Sequence, residues 1–176
     1  MKFGEKVTAL AANIKLVIFD VDGVLTDGGL YFTDDGREIK KFNVKDGLGI
    51  SILVKKGIEV AIITGRNSVI VADRMKSLGV NHVYQGRMNK LETYENLKLA
   101  LQISDDEVAF VGDDIIDLPI MNRCALSVAV ADAHDDVKEK AQLVLSKNGG
   151  MGAARDVCDL ILKAQGLTYD FTHTHQ

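Results

Sequence analysis

Short apolar runs recur along the chain, each closed by a polar residue or a glycine: KLVIFD (15–20), EVAIITG (59–65), NHVYQG (81–86), EVAFVGD (107–113), LSVAV (126–130) and QLVLS (142–146). Runs this short, apolar without strict alternation, predict strands buried on both faces, as in a parallel sheet covered by helices. Amphipathic stretches lie between them. Residues 46–56 stop at Gly57, 68–78 stop at Gly79, a stretch capped by Asn89 reaches about Gln102, and 151–165 end before Gly166. Glycine just past the last turn is a common helix stop because it takes the left-handed conformation freely. The alternation predicts a doubly wound α/β sandwich with a mainly parallel sheet.

One segment interrupts the rhythm. GGLYFTDDGREIKKFN, about 28–43, has two strand-like pieces around DDG, a hairpin turn signal, so a β-hairpin is expected directly after the first strand. No Pro/Gly/Ser linker or repeat divides the chain, which predicts one domain over 1–176 with a tail from about 167 to 176.

Composition narrows the function. A length of 176 residues supports a real core, and a net charge of −4 without a basic patch argues against nucleic acid as the main partner. No apolar run approaches the ~20 residues of a membrane span, and the first residues carry no apolar signal block. The two cysteines, Cys124 and Cys158, are far apart, which predicts small buried residues in a reducing compartment, the cytoplasm by default.

In open α/β sheets, ligands gather beyond the carboxyl ends of the strands. The expected strands deliver polar chemistry to that edge: Asp20 and Asp22 after the first, Thr64, Gly65 and Arg66 after the second, Lys90 beyond the third, and Asp113, Asp114 and Asp117 after the fourth. Clustered carboxylates favour a hard cation such as Mg²⁺, while Thr64 and Lys90 suit phosphate oxygens. Cation, carboxylate and phosphate binder together point to phosphoryl transfer. Two readings stay open for Asp117, a partner of the metal site or a cap of the helix containing Pro119. Lys90 reads as phosphate binder or as a solvated helix residue, and Asp27 as a turn former.

DVDGVLTDG, TGR, Lys90 and GDDIID resemble, in order, the four motifs of the haloacid dehalogenase superfamily of phosphatases. The resemblance covers nearly the whole chain and implies a three-layer α/β/α Rossmann-like fold. It implies Asp20 as the nucleophile that becomes an aspartyl phosphate and Asp22 as the acid and base. Mg²⁺ would be held by Asp20, the Asp22 carbonyl and Asp113, with Asp114 and Asp117 behind them. Thr64 and Lys90 would hold the phosphoryl oxygens.

Members usually carry a cap domain, and this chain has no room for one; the short hairpin stands in its place. A lone hairpin is barely stable, so hairpins are expected to pack together in a homo-oligomer. The capless design resembles the phosphatases of 3-deoxy-D-manno-octulosonate 8-phosphate, tetramers of lipopolysaccharide precursor synthesis. FNVKDGLGI (42–50) is similar to their substrate-binding loop, and GGMGAARDV (149–157) to their GGxGAxRE segment, with Asp156 where Glu is usual. Asn43, Val44, Lys45, Asp46, Gly47, Ser51, Arg66, Arg74 and Lys90, with Asp22, would then line the substrate site, and the tail would enter a neighbour's site. Arg74 also reads as a surface helix charge. His173 and His175 read as tail residues, since no third ligand accompanies them.

The alternative substrates are nine-carbon keto-acid phosphates, whose phosphatases have a segment like TGE where this chain has TGR; Arg66 favours a sugar carboxylate and the eight-carbon compound. Two rivals of another class are a phospho-accepting receiver domain, whose accepting aspartate follows a later strand, and a catalytically silent interaction module.

Overall fold

The structure, a computed structural model, describes residues 3–167. Six strands form one parallel sheet: β1 (Leu16–Phe19), β4 (Glu59–Ile63), β5 (His82–Tyr84), β6 (Val108–Gly112), β7 (Leu126–Ala129) and β8 (Leu143–Val144). Their order is β5-β4-β1-β6-β7-β8. All of β1, β6 and β7 is buried, which is why these segments read as continuous apolar runs rather than alternating ones. The antiparallel pair β2 (Tyr31–Phe32) and β3 (Glu38–Ile39) stands apart from the sheet, with Tyr31 opposite Ile39 and Phe32 opposite Glu38.

Among the described residues seven helices accompany the strands: α1 (Glu5–Ala11), α2 (Val44–Lys55), α3 (Val69–Leu78), α4 (Lys90–Leu101), α5 (Leu118–Met121), α6 (Asp135–Lys140) and α7 (Ala153–Ala164). Chain order and strand order together give the layers. Crossovers β1-α2-β4 and β4-α3-β5 move one way along the sheet, and β6-α5-β7 and β7-α6-β8 move the other. Right-handed crossovers therefore put α2 and α3 on one face and α5 and α6 on the opposite face. The packing agrees: α2 lies against α7 and α3, α1 against α7, and α4 against α5. The expected three-layer sandwich is present.

Most helix ends fall where the glycine signals put them. Gly57 and Gly79 follow α2 and α3 with φ of 81° and 80°. Helix α2 starts earlier than expected, at Val44, because the Asn43 side chain caps it by accepting the Lys45 N–H at 2.9 Å. Asn89 precedes α4 but makes no side-chain cap bond. Helices α1 and α6 carry no clear apolar period and went unanticipated, whereas α5 is the expected helix containing Pro119; α6 has a single buried residue, Val137. Strands β1 and β6 are parallel neighbours with Phe19 opposite Val111, so the sheet order places the strand ends leading to Asp20 and Asp113 side by side.

Candidate active site

Strand β1 ends at Phe19, and the next residue, Asp20, stays buried at the carboxyl edge of the sheet. Its Oδ1 accepts the Val21 N–H at 2.7 Å, and its Oδ2 lies 2.8 Å from Lys90 Nζ. Lys90, the first residue of α4, turns inward and also bonds Asp117 Oδ1 at 2.7 Å. Its side chain is fully withdrawn from solvent, so the solvated-helix reading of Lys90 does not describe it.

Asp117 is equally buried. Its Oδ2 accepts the backbone N–H of Asp113 at 3.0 Å and of Asp114 at 3.3 Å. That carboxylate therefore ties the β6 loop to α4 through Lys90. Asp117 does not cap the helix containing Pro119, to which its side chain makes no cap bond; it closes the turn before that helix and supports the acidic cluster. Asp114 lies at the cleft and caps its own turn, Oδ1 accepting the Ile115 N–H at 2.7 Å.

Oxygens of Asp20, Asp113 and Asp117 lie within 4.8 Å of one another. Asp113 Oδ1 is buried without a hydrogen-bond partner among the described residues. A buried unpartnered carboxylate oxygen is costly, and a cation facing it removes the cost. Burial, then the charges of Asp20 and Asp117, push the Asp113 carboxyl up to about 8. Burial likewise raises Asp20 to about 6, against the pull of Lys90. Burial would lower the Lys90 ammonium, yet Asp20 and Asp117 hold it above its ordinary value. The donor set is all oxygen, crowded and short of positive charge, so it fits Mg²⁺.

Gly23 makes the crowding sterically possible. Its φ is 90°, and a Cβ there would stand 2.0 Å from Asp113 Oδ2. Only glycine allows the β1 loop to lie against that carboxylate.

A cleft of about 240 Å³ opens here, lined by Asp20, Asp22, Thr64, Gly65, Arg66, Met88, Asp113, Asp114 and Ile116. Thus Asp20, Asp22, Thr64, Arg66, Asp113 and Asp114 meet at one place, with Lys90 and Asp117 directly behind. The other expected substrate residues do not line this cleft. Asn43, Asp46, Gly47 and Arg74 gather beside the start of α2, where the Arg74 guanidinium lies against Gly47. Asp46 needs correction as a substrate ligand: its carboxylate accepts the N–H groups of Gly152 and Arg155, at 3.2 and 2.7 Å, and so caps α7. Val44 and Lys45 are exposed on the first turn of α2, and Ser51 is half-buried farther along it. His173, His175 and the expected tail contact lie outside the described residues.

Two site neighbours escaped the sequence. Lys40 donates to Asp22 Oδ1. Glu38 receives Arg66 at 3.2 Å and the Ser68 hydroxyl at 2.6 Å. Their only signal was the spacing E-x-K, which starts in β3 and ends one residue past it and puts both on one side of the extended chain.

Known proteins match this arrangement. A family model of haloacid dehalogenase-like hydrolases matches residues 79–155. The 3-deoxy-D-manno-octulosonate 8-phosphate phosphatase KdsC of Yersinia pestis is 52% identical over 155 residues, 88% of this chain and 83% of the relative. The chain belongs to the 3-deoxy-D-manno-octulosonate 8-phosphate phosphatase family. Two solved family members overlay closely. The Yersinia pestis phosphatase gives a TM-score of 0.92 at 50% identity, covering 94% of this chain and 89% of that one. The Moraxella catarrhalis phosphatase, in complex with magnesium ion, phosphate ion and KDO, gives 0.91 at 39% identity, covering 93% and 94%. As a family member the chain is a phosphoric monoester hydrolase, not a receiver domain.

Proposed function

We infer that the chain is a magnesium-dependent phosphatase that converts 3-deoxy-D-manno-octulosonate 8-phosphate to KDO and phosphate. The observation that carries this reading is the Asp20 carboxylate, fixed between Lys90 and the Val21 N–H at the floor of a cleft beside the unpartnered Asp113 oxygen. A carboxylate held so, with a cation against it, is placed to attack phosphorus.

In this reading a new bond forms between an Asp20 oxygen and phosphorus as the bond from phosphorus to the sugar oxygen breaks. Asp22 gives its proton to the departing oxygen. Water then attacks the aspartyl phosphate, Asp22 takes the proton, and the Asp20 carboxylate returns. Lys90 balances the negative charge around Asp20 throughout, and Thr64 hydrogen-bonds the phosphoryl oxygens. Asp20, Asp113 and the Asp22 carbonyl would hold Mg²⁺, which supplies charge that offsets repulsion between the carboxylate and its anionic substrate.

Arg66, half-exposed at the cleft rim, is the group for the sugar carboxylate. It supports the eight-carbon substrate over nine-carbon keto-acid phosphates. The chain acts as one capless domain, and the exposed hairpin residues Leu30, Tyr31, Phe32 and Ile39 support a homo-oligomer, a tetramer by family analogy. Asn43, Val44, Lys45, Gly47, Ser51 and Arg74 would reach substrate only from that assembly. A cytoplasmic location suits its two free, buried cysteines.

The test is phosphate release with Mg²⁺ from the eight-carbon compound beside its nine-carbon analogues. Faster turnover of the latter overturns the substrate choice. Asp20→Asn should lower kcat by about 10⁴-fold or more, because an amide is a poor nucleophile. Near-normal turnover overturns the nucleophile.

A further inference from the structure

The inward face of the hairpin closes a ring of four charges beside the cleft. Lys40 donates to Asp22 Oδ1, and Arg66 Nε stands 3.7 Å from Asp22 Oδ2. Glu38 joins the same two cations, 3.4 Å from Lys40 and 3.2 Å from Arg66. Signs alternate around the ring, so each charge has opposite neighbours. Glu38 and Lys40 reach it together because alternate residues of an extended chain share a side, while Ile39 between them points away and is exposed.

The two cations on Asp22 are not equivalent. The Arg66 side chain is 44% exposed, whereas that of Lys40 is 2% exposed. Arg66 can turn toward an incoming substrate anion without leaving a buried charge behind. Lys40 cannot leave so freely: an ammonium withdrawn from water and left with only the longer 3.4 Å contact to Glu38 is disfavoured. When Arg66 turns to substrate, Lys40 is the contact that keeps Asp22 in place.

We propose that Lys40 is a positioning residue that fixes the Asp22 side chain for proton delivery to the leaving group. The proposal rests on the phosphatase reading above, in which Asp22 is the proton donor. Proton transfer demands close geometry, so a carboxylate that swings freely donates poorly. The demand grows with the basicity of the leaving oxygen, since a weakly basic one departs without a proton.

The experiment uses substituted phenyl phosphates, from nitrophenyl to methoxyphenyl, none of which carries the sugar. For each, kcat/KM covers only the steps up to departure of the leaving group. With Lys40→Met the loss should be small for nitrophenyl phosphate and should grow to about tenfold or more at the basic end of the series. A loss equal across the series overturns the proposal, because a purely structural role lowers every rate alike. The slope within one variant does not depend on how much of it folds, and Lys40→Gln gives a second, milder variant. Asp22→Asn is the control. A steep Asp22→Asn series with a parallel Lys40→Met series refutes the positioning role alone. An Asp22→Asn series as shallow as wild type refutes the donor and its positioning residue together.

Discussion

Lys90 Nζ and Asp117 Oδ1 lie 2.7 Å apart with both side chains closed off from water. The pair fastens the start of α4 to the loop after β6, and the same Asp117 carboxylate holds the Asp113 and Asp114 N–H groups. Removing one member of a buried ion pair leaves its partner charged and uncompensated, at a cost of about 3–5 kcal/mol. Asp117→Ala should therefore lose about that much stability in urea denaturation. A loss below about 1 kcal/mol, the range of exposed pairs, would mean that Asp20 alone satisfies Lys90.

Gly23→Ala tests how tightly the β1 loop and Asp113 are fitted. The left-handed backbone costs a side chain about 1–2 kcal/mol, and the new Cβ would also meet Asp113 Oδ2. Asp113 must then rotate away from the acidic cluster. The expected outcome is a modest drop in stability with a Mg²⁺ affinity weakened roughly tenfold or more, read by calorimetric titration. An unchanged affinity would show that Asp113 does not meet the ion from this position.

How much of this was legible depends on whether a residue's partner is local. Strands such as 16–19 and 108–112 are buried on both faces, so their composition alone announced them. That Asp20, Asp113 and Lys90 come together was legible because strand ends of one sheet share an edge. Asp46 was misread because its partners, the N–H groups at 152 and 155, are over 100 residues away along the chain. Nothing local distinguishes a substrate-binding acid from one that caps a remote helix. Lys40 and Glu38 were missed for a related reason: charges on a surface hairpin ordinarily face solvent, and only the fold reveals that this face turns inward. Helices α5 and α6 are too short for a period to emerge.

The hairpin's outer face makes a prediction about assembly. Leu30, Phe32 and Ile39 are each more than half exposed, on a two-stranded element of a kind that is barely stable by itself. Phe32→Glu should break the proposed homo-oligomer, because a buried unpaired carboxylate is disfavoured at an apolar contact. Analytical ultracentrifugation should give an assembly for the wild type and a smaller species for the variant. A wild-type monomer at assay concentrations would remove the hairpin from the assembly.

The acidic cluster sets the response to pH. Without metal, Asp113 is raised to about 8 and Asp20 to about 6 from an ordinary value of 3.8. The folded state therefore holds more protons than the unfolded state between those values, and stability falls as pH rises from about 4 to 8. Mg²⁺ requires the ionised carboxylates, so it must displace those protons, and its apparent affinity should rise with pH over the same window. Calorimetric titration at pH 7 in two buffers of different ionisation enthalpy should register proton release on binding, and release should shrink above pH 8. Thermal melts should show the stabilisation by Mg²⁺ growing from pH 5 to pH 8. Equal heats in both buffers would mean that Asp113 is already ionised before the metal arrives, with some other positive charge compensating its burial.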